Sequence, residues 1–94
     1  MDTKDLAKVY KALSNENRLA IFKEILSHDQ KEYEDHHCLV CQITDKLKIG
    51  APTISHHLKE LSNANLIRTR KEGKYLIASA NRELLKELGN IFER

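Results

Sequence analysis

The 94-residue sequence has no long apolar run, and this absence excludes one class of protein at the outset. A membrane-spanning helix needs roughly 18 or more consecutive apolar residues, and no stretch approaches that length. The opening residues, MDTKDLAKVY, carry acidic side chains and lack the apolar centre of a secretory signal. The sequence therefore predicts a cytoplasmic protein with no membrane partner.

Cysteine and glycine are also scarce, with two and three residues. Cys38 and Cys41 are too close in sequence to join distant parts of a fold, so a structural disulfide framework is not expected. There is no glycine-rich phosphate loop and no evident oxyanion arrangement. Cys41 with His36 or His37 could imitate a nucleophile and base, but a chain of this length has little room for a substrate pocket beyond its core. We expect one domain spanning residues 1–94 that is not an enzyme.

The formal net charge of +2 hides an uneven distribution. Residues 46–74 contain seven basic and two acidic side chains, whereas residues 28–37 contain one lysine and four acids. A basic stretch of this kind is typical of a nucleic-acid-binding face, and its plain alternative is a solvated surface.

Apolar residues at helical spacing predict two opening helices, Asp5–Leu13 and a second that ends near Ser27 and is capped by Ser14 or Asn15. Their apolar positions are Leu6, Val9, Tyr10 and Leu13, then Ile21, Phe22, Ile25 and Leu26. Residues 28–37 lack periodicity and predict a long acidic loop.

The segment Gly50–Asn63 predicts a helix with one buried and one exposed face. Ile54, Leu58 and Leu61 form its apolar stripe, and Pro52 is expected at the first helical position. Pro52, Thr53, His56, Lys59 and Glu60 point away from that stripe. A short helix with apolar positions Leu39, Val40, Ile43 and Leu47 precedes a turn containing Gly50, so the pair predicts a helix-turn-helix.

The apolar period then changes from 3.6 to 2. Ile67 and Thr69 alternate with Arg68 and Arg70, and Tyr75 and Ile77 alternate with Leu76 and Ala78, which predicts two strands joined by a turn at residues 71–74. Asn81 can cap a last helix with a large apolar face. The predicted fold class is mainly α with a β-hairpin wing (α+β): a winged helix-turn-helix with about five helices and a two-stranded hairpin.

Three segments resemble the ArsR/SmtB family of prokaryotic transcriptional repressors: KALSNENRLAIFKEIL (11–26), PTISHHLKELSNANLI (52–67) and RKEGKYLIAS (70–79). The resemblance covers nearly the whole chain. It implies a homodimer joined through the first and last helices, and operator binding that an effector relieves, often a metal or metalloid ion. The expected dimer interface comprises Leu6, Val9, Tyr10, Leu84, Leu88, Ile91 and Phe92.

Hydroxyl, imidazole and cationic side chains on the predicted recognition helix and wing can reach phosphates and base edges of double-stranded DNA. The predicted DNA-binding residues are Thr53, Ser55, His56, His57, Lys59, Arg68, Arg70, Lys71 and Lys74. His57 flanks the apolar stripe, so a packed structural role is an equal alternative to DNA contact. Ser55 has a backbone-bonded alternative, and the wing cations have a solvated one.

Cys38 and Cys41, with His36 and His37, allow three interpretations. Thiolates and imidazoles suit zinc or another thiophilic metal ion. Two thiols one turn apart at a helix N-terminus suit redox sensing, and otherwise the four residues are inert. Metal-sensing family members carry Cys-x-Cys here, whereas this sequence has Cys-x-x-Cys; residues 81–94 also lack the Asp and His of a second family zinc site.

The sequence thus predicts a sequence-specific DNA-binding regulator, acting as a repressor on a pseudo-palindromic operator as a homodimer. One alternative is a thiol-based metal or redox sensor of the same fold. A more remote one is a winged helix that serves only as a protein-interaction module.

Overall fold

The computed structural model describes residues 1–27, 43, 45–72 and 75–93. It contains five helical segments and one antiparallel two-stranded hairpin, which confirms the predicted fold class. In chain order they are α1 (Thr3–Leu13), α2 (Glu16–Ser27), α3 (residues 43 and 45–47), α4 (Ala51–Asn63), β1 (Ile67–Glu72), β2 (Tyr75–Ala80) and α5 (Arg82–Phe92). In the described ranges, no helix has both the length and the apolar character needed to cross a bilayer.

Short polar side chains set where three of the helices begin. The Asp2 carboxylate accepts from the Asp5 N–H at 2.8 Å, so α1 starts at Thr3, two residues earlier than predicted. The Asn15 side-chain oxygen accepts from the Arg18 N–H at 3.0 Å, which makes Asn15 rather than Ser14 the cap of α2. Each such cap satisfies a backbone donor that the helix itself cannot, typically contributing about 1 kcal/mol.

The core lies where α1, α2, α3 and α4 meet the base of the hairpin. Its buried members are Val9, Ala12, Ile21, Phe22, Ile25, Ile43, Ile54, Leu58, Leu61, Ala64, Leu66, Ile67 and Ala78. The predicted stripe of α4 is confirmed, since Ile54 and Leu61 are fully buried and Leu58 is 1% exposed. Burying each of these side chains stabilises the fold by about 1.5 to 3 kcal/mol, so α4 is held firmly with its opposite face outward.

The turn between α3 and α4 contains Gly50, as the sequence predicts. Lys48 has φ 57°, in the left-handed region, whereas Gly50 is extended at φ −63° and ψ 147° and precedes α4 as its N-cap. The helix starts at Ala51, so Pro52 occupies the second helical position rather than the first. An ion pair of 2.9 Å between Lys46 and the mostly buried Glu24 fastens α3 to α2.

The hairpin strands are longer than predicted. Lys71 pairs with Leu76 and Glu72 with Tyr75, so Lys71 and Glu72 belong to β1 and not to the turn. The predicted alternation also fails in the middle of β2, where Ile77 and Ala78 are both buried. Consecutive strand residues point to opposite faces, so both faces of β2 are covered there.

Helices α1 and α5 leave apolar side chains at the surface. No α5 residue is fully buried, and its leucines only partly pack on the core. Tyr10 and Phe92 are 47% and 61% exposed and form an edge-to-face pair with ring centroids 5.9 Å apart. Val9, by contrast, is 1% exposed within the single chain, so it fills the core and has no surface to give to a partner; its predicted place in the interface is corrected.

The predicted acidic loop at 28–37, the sulfur and imidazole residues Cys38, Cys41, His36 and His37, and the wing residue Lys74 lie outside the described residues.

Candidate DNA-binding surface

The outward face of α4 carries polar and basic side chains. Because Ile54, Leu58 and Leu61 fill the core, the opposite face of the helix is turned toward solvent. The exposed members of the predicted set are Thr53, Ser55, His56 and Lys59. Hydroxyl, imidazole and ammonium groups on one helix face can donate to phosphate oxygens and to base edges in a major groove.

Strand β1 extends this face with cations. Arg68, Arg70 and Lys71 are exposed, and the strand alternation directs the two arginines to one side of the hairpin and Lys71 to the other. Arg68 lies 3.9 Å from Glu83, but both side chains are mostly in water, so this ion pair holds Arg68 only weakly. The wing is therefore a basic edge next to the polar face of α4.

His57 is buried at 8% exposure, unlike its neighbour His56. Its Nδ1 has no hydrogen-bond partner among the described residues. Burial lowers the pKa of His57, the positive charge of Arg18 and the neighbouring His56 lower it further, and Glu60 partly opposes them. The imidazole is thus held neutral in the interior, which favours the packing interpretation of His57 over direct DNA contact.

The hairpin is positioned by the turn that follows α4. Asn65 adopts φ 64°, and the Leu66 N–H donates to the Leu61 carbonyl at 3.1 Å, which ends the helix and turns the chain into β1. At the base of the hairpin, where β2 ends beside this turn, the Asn81 N–H donates to the Leu66 carbonyl at 2.9 Å. The relative placement of α4 and the wing therefore depends on this junction. The sequence pattern predicts only the capping role of Asn81 and no role for Asn65, although asparagine is the residue after glycine that best tolerates left-handed backbone.

Comparisons with known proteins agree with this geometry. Residues 34–69 match the family model described as bacterial regulatory protein, arsR family. The chain is 36% identical over 84 residues to an uncharacterised HTH-type transcriptional regulator of Methanocaldococcus jannaschii, covering 85% of this chain and 86% of that one. The chain belongs to the arsR family.

Other members of the arsR family extend the comparison. A cadmium resistance transcriptional regulatory protein CadC homolog of Staphylococcus aureus is 38% identical over 84 residues, which are 89% of this chain and 64% of the relative. An ArsR-like transcriptional regulator from Rhodococcus superposes with a TM-score of 0.76 at 25% identity, over 97% of this chain and 78% of that one.

A homodimeric winged helix-turn-helix DNA-binding domain from Mycobacterium bovis, a possible ArsR-family regulator, superposes with a TM-score of 0.71 at 24% identity, over 94% of this chain and 74% of that one. This arsR-family chain is accordingly a DNA-binding transcriptional regulator with a winged helix-turn-helix, and not an enzyme.

Proposed function

We propose that the protein is a repressor that binds a pseudo-palindromic operator as a homodimer. The observation that carries this proposal is the division of α4 into a fully buried apolar stripe and a polar outward face, beside a basic β1. In helix-turn-helix proteins the second helix enters the major groove and its N-terminal residues contact bases. Here that part of the helix carries Thr53, Ser55 and His56, with Lys59 one turn further on.

The roles divide between α4 and the wing. Thr53 and His56 are short side chains near the start of α4, suited to base edges, where each well-made contact discriminates by about 1 to 3 kcal/mol. Arg68, Arg70 and Lys71 are long cations on a projecting hairpin, suited to phosphates or the minor groove. Phosphate contacts fix register and strength, and base contacts fix sequence.

The dimer is proposed from the unpartnered apolar surface of α1 and α5. Leu84, Leu88 and Phe92 repeat along α5, yet none is buried in the single chain. Tyr10 on α1 joins the same surface through its contact with Phe92. A twofold dimer would bury this surface twice and place two α4 helices about 34 Å apart, one turn of DNA. The homodimeric domain of similar fold supports this arrangement.

Selection of bound duplexes from a random DNA library tests the proposal. We expect enrichment of an inverted repeat whose half-sites are centred about one helical turn apart, roughly 10 base pairs. Enrichment of a single asymmetric site would contradict the dimeric mode. No enrichment over input at low salt would contradict sequence-specific binding altogether and favour the protein-interaction alternative.

A second candidate function, a thiol-based metal sensor, is favoured by two observations. Curated relatives include cadmium resistance regulators and arsenical resistance operon repressors. Cys38, Cys41, His36 and His37 offer two thiols and two imidazoles, a donor set that fits zinc or a softer thiophilic ion. These residues precede α3, the helix that supports α4, so a bound ion would change the placement of α4 and thereby operator affinity. The described residues alone contain no group of three or more potential metal-ligating side chains.

Operator affinity measured with a metal panel, with chelator and with oxidant tests the sensor. We expect zinc or cadmium to weaken binding by about 5- to 150-fold in the reduced protein, and Cys41→Ser to remove the effect. A response to oxidant but not to metal would instead identify a redox sensor. No response to any of the three would contradict both and leave the cysteines structural.

A further inference from the structure

A basic cavity lies between α1, the start of α2 and the C-terminal end of α4. Its volume is about 230 Å³. Three of its lining side chains are cations, Lys8, Lys11 and Arg18, and one is a carboxylate, Glu60. The wall therefore has a formal excess of two positive charges. The predicted DNA-contact residues do not line this cavity.

Arg18 is the most fixed of the three cations. Its Nε donates to the Ala12 carbonyl, and its own N–H is held by the Asn15 side chain at 3.0 Å. In the described part of the chain Arg18 forms no salt bridge. A guanidinium anchored through Nε keeps its terminal nitrogens for a ligand, and their planar geometry matches two oxygens of a carboxylate or phosphate group.

The remaining walls supply further donors and one acceptor. Lys8 and Lys11 lie one turn apart on α1, and neither forms a salt bridge with any described residue. Asn63 of α4 adds an amide. Lys8 also borders a second cavity lined by Asp5 and Glu87, so Lys11 and Arg18 are the centre of the positive charge. Glu60 can accept a hydrogen bond from a hydroxyl on the ligand.

We propose that this cavity binds a small dianion that carries a hydroxyl donor, of the hydroxy-dicarboxylate or hydrogen-phosphate type. The two negative charges of such a ligand match the two excess positive charges of the lining side chains. Its hydroxyl can donate a hydrogen bond to the Glu60 carboxylate, which would otherwise only repel the anion. Pockets for drug-sized ligands run to about 300 to 1,000 Å³, so a cavity of this volume suits a compact ion.

A DNA phosphate is a less suitable occupant. Recognition helices contact DNA chiefly through their N-terminal residues, whereas Glu60 and Asn63 lie at the opposite end of α4. Glu60 and Asn63 lie seven and ten residues beyond Thr53, which is about 10 and 15 Å along the axis of α4. A ligand here would touch α1, α2 and α4 together and bias the placement of α4. A change in the placement of α4 would change operator affinity, and this consequence rests on the proposed function. Binding of the ligand itself does not.

Titration of the full chain, followed by amide NMR shifts at constant ionic strength in chloride, tests the site. Two of the probes, hydrogen phosphate and malate, are dianions with a hydroxyl. The other two, sulfate and succinate, are dianions without one. We expect saturable shifts at Ala12, Arg18 and Asn63, with phosphate and malate binding at least fivefold more tightly than sulfate and succinate. Glu60→Gln should reduce that preference. Equal binding of all four probes would overturn the role of the hydroxyl.

Substitutions locate the site. The double variant Lys8→Gln/Lys11→Gln should weaken malate and phosphate binding about tenfold or more, whereas Lys4→Gln, on the same face of α1 but outside the cavity, should change it less than twofold. Equal loss in both, or shifts that rise linearly without saturation, would show general charge screening and overturn the proposal.

Arg18→Lys, checked for folding by thermal melting, should also weaken binding, because it keeps the charge but loses the paired donors. Saturable binding with no effect on DNA affinity would contradict only the coupling to α4.

Discussion

The side chain of Asn81 joins the two ends of the wing by donating from Nδ2 to the carbonyl oxygen of Asn65 at 2.9 Å. The same side chain accepts from the Leu84 N–H at 3.3 Å and caps α5. Asn65 itself has left-handed backbone at the exit of α4. One asparagine therefore connects the recognition helix, the hairpin and the helix proposed for dimerisation.

Asn81→Ala should lower the free energy of unfolding by about 2 kcal/mol, because it removes both a helix cap and a hydrogen bond between segments. Asn81→Asp keeps the capping oxygen and loses only the donor, so it should cost about half as much. Urea unfolding at one protein concentration measures both. Asn90→Ala, an exposed change within α5, is the control; an equal loss there would show that the Asn81 contacts contribute little.

The buried imidazole of His57 should make stability depend on pH. Burial, Arg18 and His56 hold its folded pKa below the ordinary 6.5. As pH falls through about 6.5, the unfolded state takes up the proton first, so the free energy of unfolding decreases until the folded pKa is reached. Above that range the group is neutral in both states and contributes no slope.

His57→Leu should flatten this pH dependence below about pH 7.5 and raise the free energy of unfolding at neutral pH by about 1 kcal/mol, since no unpaired Nδ1 remains buried. His56→Leu, at the exposed neighbour, should keep most of the slope. Operator affinity distinguishes the two interpretations of His57: if it packs, His57→Leu retains binding, and if it contacts DNA, binding falls while stability rises. An unchanged slope in His57→Leu would contradict the assignment of the buried titrating group.

The apolar surface of α1 and α5 predicts which substitutions would dissociate the proposed dimer. Leu88→Lys and Phe92→Ser should shift sedimentation at micromolar concentration toward monomer, because each apolar side chain lost from the interface costs about 2 kcal/mol per copy and the symmetry counts it twice. Leu19→Ser removes an exposed apolar side chain from α2, outside this surface, and should leave the dimer intact. A wild-type chain that stays monomeric would contradict the interface.

Periodicity was sufficient to predict the elements and the buried stripe of α4, because a stripe such as Ile54, Leu58 and Leu61 leaves only one way to face the core. Backbone geometry at the junctions was not predictable in the same way. The sequence predicts Gly50 in the turn between α3 and α4 but does not mark Lys48 as its left-handed residue, since a helix end is fixed by packing as well as by residue type.

The site was predicted as residue types on a face, and its burial pattern required tertiary structure. His57 is one residue away from the exposed His56, and only the packing of α4 against α1 and α2 shows that one imidazole is inside. The cavity at Lys11 and Arg18 combines separate helices, so no local pattern marked it. Val9 illustrates the converse: an apolar position on a surface helix can belong to the core of its own chain.

In the proposed function, the outward face of α4 reads the DNA sequence and the wing supplies affinity. The most direct test measures binding to the selected operator and to a random duplex across a salt series, for the wild type and for Thr53→Ala, His56→Ala and Lys71→Gln. We expect the two α4 variants to lose about 1 to 3 kcal/mol on the operator and little on random DNA, and Lys71→Gln to weaken binding to both duplexes and to reduce the salt slope by about one. A change of sequence preference in Lys71→Gln, with uniform losses in the α4 variants, would contradict it.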